Sequence, residues 1–311
     1  MTAASTAAPE GSRLRGAASR RRNEGVIRMV LLAAAIVSVL ISVGIVLSLV
    51  FEAIAFIGQI DVSQLFAAGW FPRRNQFSVG TIVAGTLIIT IVAILLAAPV
   101  GLASAIYLSE YASKRVRGII KPILEILAGI PSVVLGFFAL SWISPNVVQA
   151  IFTDAKGFNL LSAGLAVGIL TIPLVASISE DSMRAVPIAL REASYGLGAR
   201  KLRTSLRVVV PAAISGIVAA MILAISRAIG ETMIVALAAG ATAGSLFTLN
   251  PLGPGQTLTG AMASLAAGSD QVAGANAAFQ SLFFVGLLLF VMTLVLNVIG
   301  DSFVRRTRQK Y

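Results

Sequence analysis

Six long stretches of this chain carry almost no charge, and short charged segments separate them. The stretches are 29–51, 75–109, 126–153, 157–179, 208–240 and 271–300, and only the fifth is interrupted, by Arg227 and Glu231. About 20 apolar residues cross a bilayer as a helix, so the pattern predicts six membrane helices. In the second the apolar heart is 79–108. The third is expected to start a turn before 126 and to end near Ile143, and the sixth to have its apolar part at 278–299. Residues 52–77 then form a short outer loop. The Gly-, Ala-, Thr- and Ser-rich segment 241–275 forms another, in which 257–267 is re-entrant or a short interfacial helix.

The first 25 residues are rich in Ala, Ser and Arg without apolar periodicity, and a disordered tail is expected there. Basic residues before an apolar run also resemble a signal peptide. The run 29–51 is longer than the roughly 7–15-residue apolar core of such a peptide, which favours an uncleaved first helix.

Composition agrees with this. Hydrophobic residues make up 57% and charged residues 12%, with a mean hydropathy of +0.93. A soluble domain carries roughly 25% charged residues, so a water-soluble globule is excluded. Histidine and cysteine are both absent, which removes Cys/His metal sites, thiol nucleophiles, disulfides and histidine-based triads. No G-x-x-x-x-G-K-[ST] loop occurs, so any ATP is bound by another chain.

The net charge of +11 is distributed by topology. Six crossings place the basic residues of the N-terminal segment, the 2–3 loop, the 4–5 loop and the C-terminus on one face, against only Arg73, Arg74 and Lys156 on the other. This asymmetry puts both termini in the cytoplasm and leaves no basic surplus that calls for nucleic acid.

The 4–5 connection reads EDSMRAVPIALREASYGLGARKLRTSLR. Pro187 starts a short helix in which Ile188, Ala189, Ala193 and Leu197 share a face, Gly196 and Gly198 break it, and a basic helical stretch leads to Pro211. Two readings stay open: an amphipathic helix resting on headgroups, or a knob seated in a groove of a partner.

Arg227 and Glu231, four residues apart, are expected on one helix face, about 6 Å apart along the axis. Arg227 lies 16 residues beyond Pro211, ~24 Å of helix rise, out of reach of the cytoplasmic interface. A buried membrane arginine costs a few kcal/mol and faces protein or a watery path. Either the two residues form a local ion pair that holds packing, or they line a transport path. A guanidinium offers a planar fork of donors suited to a tetrahedral oxyanion. Glu231, as an acceptor, matches the P–OH groups of phosphate and penalises sulfate, which has none at neutral pH. Smaller expectations are an i,i+4 pair of Lys121 with Glu125, Glu180 and Asp181 as surface charges, and Trp70 and Trp142 as interfacial anchors.

Glu192-Ala193-Ser194, Gly198, Val208, Val210 and Pro211 resemble the EAA signature of bacterial ABC-importer permeases, E-A-A-x3-G-x9-I-x-L-P, with Ser194 replacing the second alanine. ISRAIGETMIVALAAG, which contains Arg227, Glu231 and Thr232, resembles the R-A-x-G-E-T-M-x-V segment of phosphate-specific ABC permeases of the PstC type. LAGIPSVVLGFFAL, REASYGLGARKLRTSLRVVVPAAISGIV and QTLTGAMASLAAGSD agree with it.

The resemblance covers 78–305 and implies an all-α membrane protein, the six-helix type I ABC-importer permease fold. Its parts would be a tail over 1–25, a first helix and outer loop over 26–77, a core over 78–305 with a coupling loop over 181–207, and a tail over 306–311. It implies that Glu192, Ala193, Ser194, Gly198 and Pro211 belong to the loop that docks on the ATPase, and that Arg227, Glu231 and Thr232 line the phosphate path. It also implies a PstA-like permease, two cytoplasmic ATPase subunits holding ATP and Mg, and an extracytoplasmic phosphate-binding protein. The chain itself would bind no cofactor and sit in the bacterial cytoplasmic membrane. A permease for phosphonate, sulfate or molybdate and an ion-coupled secondary transporter using Glu231 are the alternatives. A membrane-embedded enzyme lacks a carboxylate cluster to work with.

Overall fold

In the computed structural model the described residues are 18–240, 244–268 and 276–307. The chain divides into two units with the boundary at Phe51 and Glu52. Most of the first is helix α1 (Ala18–Gln59), whose apolar residues, Val30, Leu40 and Ile41 among them, are exposed as a bilayer-facing surface requires. The helix reaches back to Ala18, inside the stretch expected to be a disordered tail. Ala and Arg are good helix formers, and extending a helix already nucleated by the apolar run gains one bond per residue. Residues 1–17, the rest of that tail, lie outside the described residues.

Besides two short 3-10 helices, Val62–Phe66 and Pro72–Arg74, the second unit holds ten further helices among the described residues. They are α2 (Val79–Tyr111), α3 (Lys114–Ala128), α4 (Ser132–Ile151), α5 (Leu160–Arg184), α6 (Ile188–Gly196), α7 (Lys201–Ala212), α8 (Ile214–Ile229), α9 (Met233–Ala238), α10 (Leu258–Ala267) and α11 (Asn276–Thr307). Five helices of the described chain are long and apolar enough to span a membrane, and six spans result when α7 and α8 count as one bent pair. Helix α11 continues through Arg306 to Thr307, into the segment expected as a C-terminal tail.

The bundle centres on α2 and α5. Ala93, Ala97, Gly101 and Ala105 recur every fourth residue of α2 and are all buried. Gly164 and Gly168 of α5 meet this stripe; a Cβ at Gly164 would lie 2.7 Å from Val92 Cβ, and one at Gly101 2.7 Å from Val175 Cβ. Lipid tails are as apolar as leucine, so close packing of small residues replaces the hydrophobic effect as the force holding such helices together. The buried threonines of these helices bond back along their own chains: Thr90 to the carbonyl of Thr86 at 2.7 Å and Thr171 to that of Val167 at 2.6 Å. Helix α8 joins by its own small stripe, Ala220, Ala224 and Ala228, and Ala97, Val175 and Ala224 pack together where α2, α5 and α8 meet.

Two spans differ from the sequence reading. The third runs over Ser132–Ile151 and neither starts near 126 nor ends near Ile143: Gly129 ends α3, and Pro131, with its fixed φ and no N–H, starts α4. Residues 114–128 are therefore a separate amphipathic helix. The fifth is not one rod but bends by 71° between α7 and α8, just after Pro211, and stops again at Ile229.

At the end opposite the 4–5 loop, the short outer segment folds into strands β1 (Gly69–Phe71) and β2 (Gln76–Phe77), and the later loop adds β3 (Ser245–Leu246) in the antiparallel order β2-β1-β3. Trp70 lies opposite Phe77 and is fully buried with Phe56, Leu258 and Val285, so it is a core residue and not an interfacial anchor. Trp142 is exposed and stacks on Phe138.

Candidate functional site

The sequence nominated two regions, and the fold builds both around helix breaks. In the first, α8 turns its alanine stripe inward and Arg227, with Leu223 one turn before it, outward to the exposed face. The guanidinium stands about 20 Å along α8 from the bend at Ala213. Gly230 caps the helix, its N–H bonding to the carbonyl of Ser226 at 3.1 Å. Glu231 and Thr232 form the break, and α9 begins at Met233.

Arg227 and Glu231 are therefore not on one continuous helix, and no ion pair joins them among the described residues. The cause is local and tertiary together. Gly230 is a poor helix former, and the hydroxyl of Thr259 in α10 donates to the carbonyl of Glu231 at 2.7 Å, the acceptor an unbroken helix would have offered to residue 235. The Glu231 carboxylate is half-buried and accepts a long 3.5 Å bond from the Ile234 N–H, a weak cap for α9. Behind it lies a narrow crevice lined by Thr86, Thr257 and Thr259. Thr232 is half-buried, its hydroxyl 3.3 Å from the carbonyl of Gly230.

Helix α10 falls on the stretch expected to be re-entrant or a short helix. Its N-terminus is held twice: the Leu258 N–H donates to the Thr86 hydroxyl at 3.0 Å, and the Gly260 N–H to the Thr257 hydroxyl at 3.0 Å. Between α9 and α10 opens a cavity of about 460 Å3, lined by Met233, Leu237, Gln256, Thr257 and Ser264 among others. Thr86 carries no sequence signal of its own, because isolated threonines in apolar runs are common, and Thr257 and Thr259 fall in the QTLTGAMASLAAGSD stretch without being singled out by it.

The second region is the 4–5 loop. Helix α6 ends in a Schellman motif: the Ala199 N–H bonds to the carbonyl of Ser194 at 3.1 Å and the Gly198 N–H to that of Tyr195 at 2.9 Å. Gly198 takes φ +76°, the left-handed conformation glycine adopts without a Cβ penalty. The hydroxyl of Ser194, where the signature has alanine, meets that of Thr204 at 2.8 Å and ties α6 to α7. Glu192 and Ala193 are exposed, as are Ile188 and Leu197, the latter 90% exposed. Pro211 lies at the end of α7, two residues before the bend.

Of the two carboxylates expected at the surface, Asp181 is exposed, but Glu180 anchors this end. Glu180 is fully buried, bonded by Lys121 at 2.8 Å, with Arg184 and Arg117 at 3.5 and 3.8 Å. Lys121 also reaches Asp181, so its partners are these two and not Glu125. Burial disfavours the Lys121 ammonium, but its hydrogen bonds to Asp181 and Glu180 outweigh that and raise its pKa above the ordinary lysine value. The sequence reading also passed over Arg191 and Glu110, which form a part-buried ion pair at 3.0 Å.

Residues 97–309 match the family described as binding-protein-dependent transport system inner membrane component. The chain is 31% identical to the probable ABC transporter permease protein YqgH of Bacillus subtilis, over 86% of each chain. It is 30% identical to the phosphate transport system permease protein PstC of Xylella fastidiosa, over 80% of each. Its fold is shared with a chain of a bacterial alginate ABC transporter crystallised with a periplasmic protein carrying an alginate pentasaccharide, at a TM-score of 0.66 and 16% identity, covering 94% of this chain and 98% of that one.

Proposed function

Because the chain belongs to the family of binding-protein-dependent transport system inner membrane components, and so is an ABC-importer permease subunit and not an enzyme, we propose that it passes inorganic phosphate across the cytoplasmic membrane. The observation that carries the reading is Arg227: a guanidinium on the open face of α8, deep along the helix and one turn from a break, unpaired with Glu231. An arginine at that depth is costly unless it serves a polar path, and its fork of donors matches a tetrahedral oxyanion. The PstC relative supports phosphate as that anion.

Glu231 and Thr232 contribute from the break: the carboxylate accepts from a P–OH group, and the hydroxyl adds a donor. With no ion pair to Arg227, the two charges act on the anion separately, attraction by Arg227 setting entry and the acceptor setting selectivity. Specificity rests mainly on an extracytoplasmic phosphate-binding protein. ATP is hydrolysed by two cytoplasmic ATPase subunits that seat α6 and its exposed Ile188 and Leu197 in a groove. A second, PstA-like permease completes the pathway opposite Arg227. Both termini are cytoplasmic, as the basic residues require.

The test is uptake of radiolabelled phosphate by the complete complex in proteoliposomes. ATP-dependent uptake that exceeds sulfate and molybdate uptake and collapses in R227A supports the reading. Equal uptake of the other oxyanions overturns phosphate as substrate, and uptake that persists with an inactive ATPase and a proton gradient favours a secondary transporter.

A further inference from the structure

Arg191 directly precedes Glu192, yet the two side chains have opposite fates. Glu192 is exposed, whereas Arg191 is only 16% exposed and reaches back into the chain. Its Nη1 donates to the carbonyl of Val186 at 2.7 Å, and its Nη2 to the carbonyl of Met183 at 2.8 Å and to Glu110 Oε1 at 3.0 Å. Met183 is in the last turn of α5, where carbonyls lack partners within the helix, and its carbonyl accepts from the Val186 N–H at 3.3 Å as well as from Arg191. A cation is favoured there by the helix dipole as well. Glu110, at the end of α2, is 4% exposed and also accepts from the Ser109 hydroxyl at 2.9 Å. One guanidinium thus joins three elements: α6, which carries it, the end of α5, and the end of α2.

The rest of the attachment of α6 has a different character. Leu190 rests on an apolar cluster that includes Ala105, Met183 and Val209, and such contacts are non-directional and permit sliding. Ser194 ties α6 forward to Thr204 of α7. Among the described residues, Arg191 makes the polar connection from α6 to both α2 and α5, and its planar fork fixes direction in a way a single ammonium does not. Those two helices meet α8 at Ala97, Val175 and Ala224, one turn before Arg227.

We propose that Glu110 and Arg191 are a positioning pair that delivers movement of α6 to α2 and α5, so that without the pair the partner ATPase cycles without driving transport. The proposal rests on the importer-permease reading. It assigns Arg191 no contact with ATP, ATPase or substrate; the residue acts by holding α6 in register.

The experiment measures phosphate uptake and ATP hydrolysis in the same proteoliposomes, with the complete complex. R191K keeps the charge but cannot hold three acceptors in a fork. E110A leaves both carbonyl bonds of Arg191 intact and cuts only the tie to α2. In both, phosphate transported per ATP should fall by roughly tenfold, the scale of one charge-assisted hydrogen bond, while hydrolysis stays within about twofold of wild type. If R191K does not assemble, E110A decides alone. A wild-type ratio in E110A, or uptake and hydrolysis falling by the same factor, overturns the pair as a coupling element. Absence of ATP-dependent uptake in the wild-type complex would instead count against the importer reading.

Discussion

The hydroxyl of Thr259 in α10 donates to the backbone carbonyl of Glu231 at 2.7 Å, across 28 residues of chain. The bond holds α8 and α9 apart, because it occupies the acceptor a continued helix would use, and it sets the end of α10 beside the break. Thr259 is buried, so an isosteric T259V leaves the carbonyl of half-buried Glu231 without this partner, at a cost of about 1 kcal/mol. A lower unfolding midpoint in detergent and slower uptake are expected for T259V, with T259S recovering both. An unchanged midpoint would mean that water or another donor already serves the carbonyl.

Gly198 and Gly196 lie two residues apart in the coupling loop and should respond oppositely to alanine. Neither has any atom within 4 Å of the position a Cβ would take, so sterics with neighbours do not enter. Gly198 has φ +76°, and alanine there costs about 1–2 kcal/mol. Gly196 is the last residue of α6, where alanine is neutral or stabilises by up to about 1 kcal/mol. Thermal unfolding of the two variants reads the difference, and G198A should also lower ATPase-coupled uptake, since the Schellman turn sets the angle between α6 and α7.

How legible these features were depends on how far away their causes lie. The Gly198 turn was readable because a helix, a glycine and a basic helix follow one another within 20 residues. The helix at 258–267 was visible in part for the same local reason, whereas the fifth span was read as continuous and its bend after Pro211 was not foreseen. The break at Glu231 was not visible either, since Gly230 alone does not end a helix and the decisive partner, Thr259, lies 28 residues further along the chain. Glu180 looked like a surface charge beside a basic loop. It is buried because α3 folds as a separate helix and brings Lys121 and Arg117 to it from about 60 residues away. The pairing of Arg191 with Glu110 spans 81 residues, a distance over which a single sequence carries no pairing signal.

The Lys121–Glu180–Asp181 cluster predicts a pH dependence. Burial works against the Lys121 charge, and its bonds to Asp181 and Glu180 more than compensate, so its pKa in the folded chain is above the unfolded value. A group with a raised folded pKa contributes stability that is complete below the unfolded pKa, about 10.4 for lysine, and is lost as pH rises through the folded value. Stability should thus be insensitive to Lys121 through the neutral range and decline only in strong alkali. K121M should remove that alkaline decline. It should also destabilise by less than the roughly 3–5 kcal/mol of an unpaired buried charge, because Arg117 and Arg184 still face Glu180.

Arg227 and Glu231, being separate, can be tested separately. R227K keeps the charge and loses the fork; with a hydrogen bond to a charged group worth about 1.5–3 kcal/mol, uptake should fall by roughly 10- to 100-fold. The folded state should change little, since Arg227 is exposed and off the buried alanine stripe. E231Q retains an oxygen to accept the Ile234 N–H, so the weak cap on α9 survives and thermal stability should move by less than about 0.5 kcal/mol. What changes is the anion selectivity. A carboxylate rewards a P–OH donor and repels sulfate, whereas a carboxamide also offers N–H donors to sulfate oxygens. The preference for phosphate over sulfate should therefore narrow in E231Q, measured as the ratio of initial uptake rates in one vesicle preparation. A ratio and rate equal to wild type would remove Glu231 from the path and leave it as the start of α9.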